Sequence, residues 1–324
     1  MELYTRTDLA SQMDRLLSAM VAGDPSLAPL SQTARYTENG IALPMGEGAW
    51  ATMDGFGPYR HDIADSKTGQ MASFVTIREG KTRSILNLRL RLEKGVISEI
   101  EAIIARPDIG GAKGLMADGA EKLNESAKPD LRWFEAIPEN ERLSRDELRQ
   151  IANLYFTGLE KNDGKGDYPF AEDCIRIENG YLATAPIDRR EAEKLADKAS
   201  GHDPDSRAGQ SPYSWNFLTM SAKEQFETGF FAFVDRIRHR RFPIVDEERA
   251  CVFTYAFFDH SGTVRDYRLA NGQAVSGGLD RPFTWMIAEV FRIEKGLFTR
   301  IEALMTPVPY GTEPAWPLAA HDIR

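Results

Sequence analysis

The stretch GPYRHDIADS, Gly57–Ser66, combines the residue types that acid–base chemistry needs. Read as a strand, it places Tyr59, His61, Ile63 and Asp65 on one face and Arg60, Asp62 and Ala64 on the other. The second face is polar, so Tyr59, His61 and Ile63 are expected to point inward. An imidazole titrates near neutrality and can take a proton from carbon or oxygen and return it. A phenol, Tyr59 or Tyr36, can hold a developing oxyanion by a hydrogen bond. Asp65 or Asp54 can orient the imidazole. The competing reading is a satisfied, half-buried histidine at a strand end. Asp65 has a structural rival of its own. HDIAD aligns with FPIVD (Phe242–Asp246), so an aspartate recurs where His61 gives way to Phe242, which is the pattern of a turn or cap. The same comparison suggests one active half, holding His61, and one structural half.

A second candidate lies in WMIAEVFRIE. There Trp285, Ile287, Glu289, Phe291 and Ile293 share a strand face, and a carboxylate stands in an apolar row where the matching first-half residue is Leu88. Burial raises the pKa of such a group and makes it a plausible base. The preferred alternative is an ion pair with Arg240 or Arg241. Trp50, Phe56, Asp54, Glu289 and Trp285 are the expected substrate contacts. His260 falls in a loop pattern, and His202 and His321 in polar loop or tail. The five histidines show no pair at ligand spacing, and the cysteines are not paired, so no metal is expected. No dinucleotide fingerprint, Walker sequence or GxSxG elbow is present, so no organic cofactor is expected either.

The elements that must position these residues are written twice. RLEKGVISEIEAI (Arg91–Ile103) returns as RIEKGLFTRIEAL (Arg292–Leu304), with seven of thirteen positions identical. ARYTENG (Ala34–Gly40) is echoed by CIRIENG (Cys174–Gly180). An amphipathic helix precedes each echo, through Leu9, Met13, Leu16, Leu17 and Met20, then through Leu148, Ile151, Ala152, Tyr155 and Leu159. SRDE, from Ser144, has the spacing of a capping box. The Asn-Gly pairs signal type I′ hairpins. Long alternating strands follow in each half, QMASFVTI and RSILNLRLRLE against CVFTYAFF and TWMIAEVFRIE. The second copy carries 61 extra residues, read as a charged helix (DRREAEKLADKA), a polar loop (SGHDPDSRAGQSP) and a helix running from SAKEQF through DRIRHR. The expected organisation is a first domain over 1–106, a linker over 107–143, a second domain over 144–306 with its insertion at 181–240, and a tail over 307–324. Trp133 and Phe134 imply that the linker packs on a domain. The class is α+β, each domain an antiparallel sheet covered by helices.

Composition sets the remaining bounds. Hydrophobic residues make up 42% and charged residues 27% of the 324, the balance of a globular protein. A net charge of −9 argues against nucleic acid as a partner, and no apolar run suits a membrane span. The basic cluster RIRHRRF is followed by DEER and reads as solvated or ion-paired surface. Two strand-borne cysteines and the lack of a signal-peptide pattern lead to an expected cytoplasmic location.

The pattern of amphipathic helix, hairpin and long strands ending in RLRLEKGVISEIEAI resembles the nuclear transport factor 2-like superfamily. That superfamily is the cone-shaped α+β fold of ketosteroid isomerases, SnoaL-like polyketide cyclases and scytalone dehydratases, and here the pattern occurs in tandem. The second half, with RRFPIVDEERACVFTYAFFDHSG and PVPYGTEPAW, looks like an uncharacterised tandem family. The superfamily also includes lyases that remove formaldehyde from lignin-derived diaryl compounds. The resemblance implies curved sheets that enclose an apolar pocket with a few polar side chains. It points to a cofactor-independent lyase or isomerase, using proton transfer on a small, partly apolar, aromatic molecule by dehydration, C–C cleavage or isomerisation. The alternative is a non-catalytic binding or scaffold protein, an internal pseudo-dimer of two cones. A small-molecule substrate is the expected partner, and a homo-oligomer is left open.

Overall fold

The structure is a computed structural model and describes residues 4–107, 117–190, 192–194, 215–276 and 281–324. The expected polar loop, with His202, lies outside the described residues, as does half of the charged helix before it.

Two six-stranded sheets carry the chain. The first contains β1 (Leu30–Glu38), β2 (Ile41–Leu43), β3 (Gly55–Asp65), β4 (Gln70–Glu79), β5 (Thr82–Glu93) and β6 (Val96–Ala105). The second contains β7 (Phe170–Glu178), β8 (Tyr181–Leu182), β9 (Arg236–Asp246) and β10 (Cys251–His260). A small separate hairpin follows, β11 (Asp266–Arg268) with β12 (Ala274–Ser276), and then β13 (Phe283–Glu294) and β14 (Leu297–Val308) complete the sheet. The strand orders are the same, β2-β1-β6-β5-β4-β3 and β8-β7-β14-β13-β10-β9. Helices α1 (Arg6–Val21), α2 (Ala49–Thr52), α3 (Gly119–Ser126), α4 (Arg145–Leu159), α5 (Trp215–Leu218) and α6 (Ala222–Glu227) complete the described elements used below.

The written repeat is a structural one. Leu88 pairs with Ala102 and Glu289 with Ala303, and each hairpin bulges just after the aligned Arg91 or Arg292. Both turns run through left-handed Lys-Gly pairs, at Lys94-Gly95 and Lys295-Gly296. Asn39-Gly40 and Asn179-Gly180 likewise take positive φ at both residues, as a type I′ turn requires. Each Asn side chain is also tied to the last strand of its sheet, at Ile104 and Met305. Capping boxes start both long helices, Thr5 with Asp8 and Ser144 with Glu147.

Two expectations are corrected. The sheets are mixed, because β1 runs parallel to β6 and β7 to β14. Alternation in a sequence specifies which side chains share a face, not which strand lies alongside. DRIRHR is not helical: helix α6 ends at Glu227 and Arg236–Asp246 forms edge strand β9, the counterpart of β3. The long connection after β10 contains the β11–β12 hairpin.

Each sheet is covered by its long helix on one face. Leu9, Met13, Leu16, Leu17 and Met20 of α1 lie at 0–2% exposure in the first core. Leu148, Ala152, Tyr155, Phe156 and Leu159 of α4 occupy the second. The other faces of the two sheets meet in a shared cluster that includes Phe74, Ile103, Phe253, Tyr255, Val290 and Leu304. The linker closes over this seam with Leu123 of α3 and with Trp133, both buried. Gly119 opens α3 against the Asn179-Gly180 turn, where an added Cβ would collide with the Asn179 carbonyl oxygen. Gly119→Ala is therefore expected to destabilise the protein by about 1–3 kcal/mol, read as a lower urea midpoint with an unchanged slope.

Candidate functional site

His61 and Tyr59 do not face the helix-covered interior of the first half. They lie in the seam, because the alternation of β3 turns Tyr59 and Ile63 toward the second sheet. His61 is 1% exposed, and its Nδ1 stands 2.6 Å from Glu302 Oε2 of β14. The Tyr59 hydroxyl donates to Glu302 Oε1 at 2.8 Å. The Trp133 ring lies 4.6 Å from the imidazole, with Phe74 and Phe134 close by. Neither Asp54 nor Asp65 orients the ring.

The sequence alignment of His61 with Phe242 is displaced by one residue. Phe74 pairs with His61, and its counterpart Tyr255 pairs with Arg241, because β9 bulges between Arg241 and Ile244. Phe242 turns instead into the second core. The positional equivalent of His61 is thus Arg241, and it makes the reciprocal contact: its Nη2 donates to Glu101 Oε2 at 2.5 Å, and Glu101 is the repeat partner of Glu302. Both halves reach across the seam to a buried carboxylate of the other, so the presence of His61 does not mark an active half.

The remaining first-half candidates are dispersed. Tyr36 lies in the helix-covered core and donates to Glu38 Oε2 at 2.9 Å. Glu38 also takes the Ala49 N–H and Arg106 Nη1, so its carboxylate is answered, while Trp50 Nε1 in the same core is buried without a hydrogen-bond partner among the described residues. Trp50 is fully buried against Tyr36. Phe56 is 55% exposed, and Asp54 forms a surface pair with Arg78. Asp65 closes a turn by accepting from the Lys67 and Thr68 N–H groups. It also clamps the halves together through Arg145 at 2.5 Å and the Val245 N–H.

The second half differs at the same positions. The helix-covered face of its sheet presents Glu289 on β13 between Ile287 and Phe291, as the alternation predicts. Glu289 is 2% exposed, and its Oε2 is buried with no hydrogen-bond partner among the described residues. It pairs with neither Arg240 nor Arg241, which are committed to Glu160 and Glu101. Burial, followed by the charge of Glu178, pushes the Glu289 carboxyl up to about 8, while Arg176 and the Tyr155 hydroxyl oppose that rise. Arg176, on β7, contacts Glu178 at 3.0 Å and donates to Gln225 of α6 at 2.7 Å. Phe226, Phe291 and Phe298 surround Tyr155. Trp285 is half-buried beside this core. By the repeat, Tyr155, Arg176 and Glu289 stand where the first half has Leu16, Tyr36 and Leu88. Sequence reading singled out Glu289 but missed Tyr155 and Arg176 as partners. Their signal was available in the same column-by-column comparison of the two copies.

The family model for a domain of unknown function, DUF8021, matches residues 141–305, just over half of the 324. The chain belongs to this family. The DUF8021 segment runs from just before α4 to within β14, so Tyr155, Arg176, Glu178, Gln225 and Glu289 all fall inside it. His61 and Tyr59 fall outside, while their acceptor Glu302 is within. No curated protein matches the chain in sequence. Among solved structures, a de novo designed protein with a curved β-sheet is 12% identical at a TM-score of 0.26, covering 31% of this chain and 88% of that one. A provisionally named ketosteroid isomerase from Kribbella flavida is 12% identical at 0.24, covering 31% and 78%. A bacterial protein with a cystatin-like fold from Silicibacter pomeroyi is 16% identical at 0.24, covering 29% and 73%. Among the described residues, no helix is long and apolar enough to cross a membrane.

Proposed function

We propose that the second half is a cofactor-independent proton-transfer site of the nuclear transport factor 2-like type, and that the first half is its scaffold. The reaction is an isomerisation or lyase step on a small, partly apolar, aromatic molecule. The observation that supports this reading is the polar substitution of one interior: Leu16, Tyr36 and Leu88 are replaced by Tyr155, Arg176 and Glu289, and one Glu289 oxygen is buried without a hydrogen-bond partner among the described residues. An unanswered buried carboxyl costs stability, about 1–3 kcal/mol, so a protein that retains one has a use for it. With a pKa near 8, Glu289 holds a proton at neutrality yet can lose it, as a general acid or base requires. Tyr155 and Arg176 stabilise the carboxylate form. The phenyl rings around Tyr155 favour an apolar or aromatic ligand. Glu289 is nearly inaccessible, so a ligand enters when the short cover of α5 and α6, four and six residues long, parts from the sheet. The buried free thiols of Cys174 and Cys251 suit a reducing, cytoplasmic setting.

A thermal-shift screen of neutral phenolic and polyketide-like compounds tests the site. Ligands of this interior should stabilise the wild type and fail to stabilise Tyr155→Trp, whose larger ring crowds the interior beside Glu289. Bound compounds that no assay shows to be converted would favour a binding protein over an enzyme. Ligands indifferent to Tyr155→Trp would place binding elsewhere and sink the assignment.

Glu289→Leu copies the first half's Leu88 and should raise stability by about 1–3 kcal/mol at pH 8. The gain depends on pH in a set direction. The unfolded carboxyl ionises near 4.5 and the folded one near 8, so the folded state binds more protons between those values. Wild-type stability therefore falls as pH rises from about 4.5 to about 8, and Glu289→Leu removes that part of the slope. Urea midpoints of both proteins across this range give the comparison.

A further inference from the structure

A cleft of about 350 Å³ opens where the two halves meet the C-terminal segment, and none of the Glu289 site lines it. Four arginines do: Arg89 and Arg91 of β5, Arg149 of α4 and Arg241 of β9. Among the described residues, the carboxylates on its wall are Glu99 and Asp322. Glu101, just behind, is shared by Arg89 and Arg241. Glu99 is shared by Arg89 and Arg91, and Arg91 Nε also stands 3.5 Å from Glu93, an exposed carboxylate. Asp322 accepts from the Phe242 and Ala319 N–H groups, at 2.9 and 2.7 Å. Three arginines thus divide two inner carboxylates. The fourth, Arg149, is answered among the described residues only by Asp146, whose side chain is 83% exposed. Arg149 Nε is buried and makes no hydrogen bond among the described residues. The wall formed by the C-terminal segment is pinned in place: Trp316 Nε1 donates to Thr37 Oγ1 at 2.9 Å, and Arg35 and Arg89 lie against its ring.

We propose that this seam cleft binds a small oxyanion, a carboxylate or a phosphate, between the guanidinium groups of Arg149 and Arg91. Guanidinium forks match the planar or tetrahedral oxygens of such groups, and the attraction is strengthened where water is partly excluded. Arg89 and Arg241 are 3% and 6% exposed and held by their partners, so the positive wall is formed before a ligand arrives. The volume accommodates a small organic acid or inorganic phosphate. The lining comes from both halves and the C-terminal segment, so a bound anion ties all three together and raises the unfolding temperature by mass action.

The test uses the full chain at constant ionic strength, with chloride as the reference ion. Inorganic phosphate and malonate are titrated separately by calorimetry and by thermal shift, which distinguishes the two sources of the oxyanion. Saturable binding of at least one, with a concentration-dependent rise in Tm, is expected. Arg149→Gln should weaken it by about tenfold or more, since a hydrogen bond to a charged group is lost. Arg149→Lys, which keeps the charge but not the fork, should fall between and serves if the glutamine variant does not fold. Failure of both anions to bind beyond the chloride reference would overturn the proposal. So would full wild-type affinity in a folded Arg149 variant.

Discussion

Glu289→Gln is expected to lower turnover by ~10²–10⁴-fold, the usual contribution of a general acid or base, while the protein stays folded. The amide keeps the size of the carboxyl but cannot exchange a proton. Tyr155→Phe should cost less, because the ring remains and only the hydroxyl that stabilises the carboxylate is lost. A reaction begun by proton abstraction needs the ionised form, so its rate should rise with pH through about 8; one begun by protonation should decline there. His61→Gln supplies the contrast. His61 is closed in the seam by Glu302, Trp133 and Phe74, so its loss should move the unfolding midpoint and leave turnover per folded molecule in place. A fully active Glu289→Gln with an inactive His61→Gln would return the chemistry to the seam and end the present assignment.

The largest effect on stability is expected at Glu101. Its carboxylate answers Arg241 of the other half at 2.5 Å and Arg89 of its own at 3.1 Å, and all three groups are buried. Glu101→Leu leaves two guanidinium groups in the seam without their shared counter-charge. Removing one partner of a buried ion pair costs about 3–5 kcal/mol, because the charge left behind stays desolvated. Glu302→Leu should cost less, since the groups it strands, the Tyr59 hydroxyl and the His61 ring, can be neutral. Denaturant unfolding of both variants against the wild type ranks the two sites. Equal and small losses would mean that water reaches the seam and solvates the arginines.

Repetition made much of the architecture legible without coordinates. RLEKGVISEIEAI and RIEKGLFTRIEAL form matching hairpins because each encodes the same alternation, Lys-Gly turn and bulge, all local properties. The capping boxes and Asn-Gly turns are local in the same sense. Glu289 was legible too: period-two alternation places it among Ile287, Phe291 and Ile293 whatever lies opposite. Which strands become neighbours beyond these hairpins was not legible, and the parallel pairing of β1 with β6 and β7 with β14 came from the assembled sheets. Nor could the sequence say what covers each face. Tyr59 and His61 share a face with apolar Ile63 and so read as inward-pointing, but a sheet packed on both sides has two insides. The face opposite α1 was buried by the other sheet, which placed His61 against a glutamate 241 positions away. The one-residue bulge in β9 was equally hidden, since it depends on how Phe242 and Pro243 fit between two packed layers. Sequence by itself determined the repeated units and the faces of their strands. The tertiary structure decided which face was a site and which a seam, because burial of a face is set by the partner that docks on it.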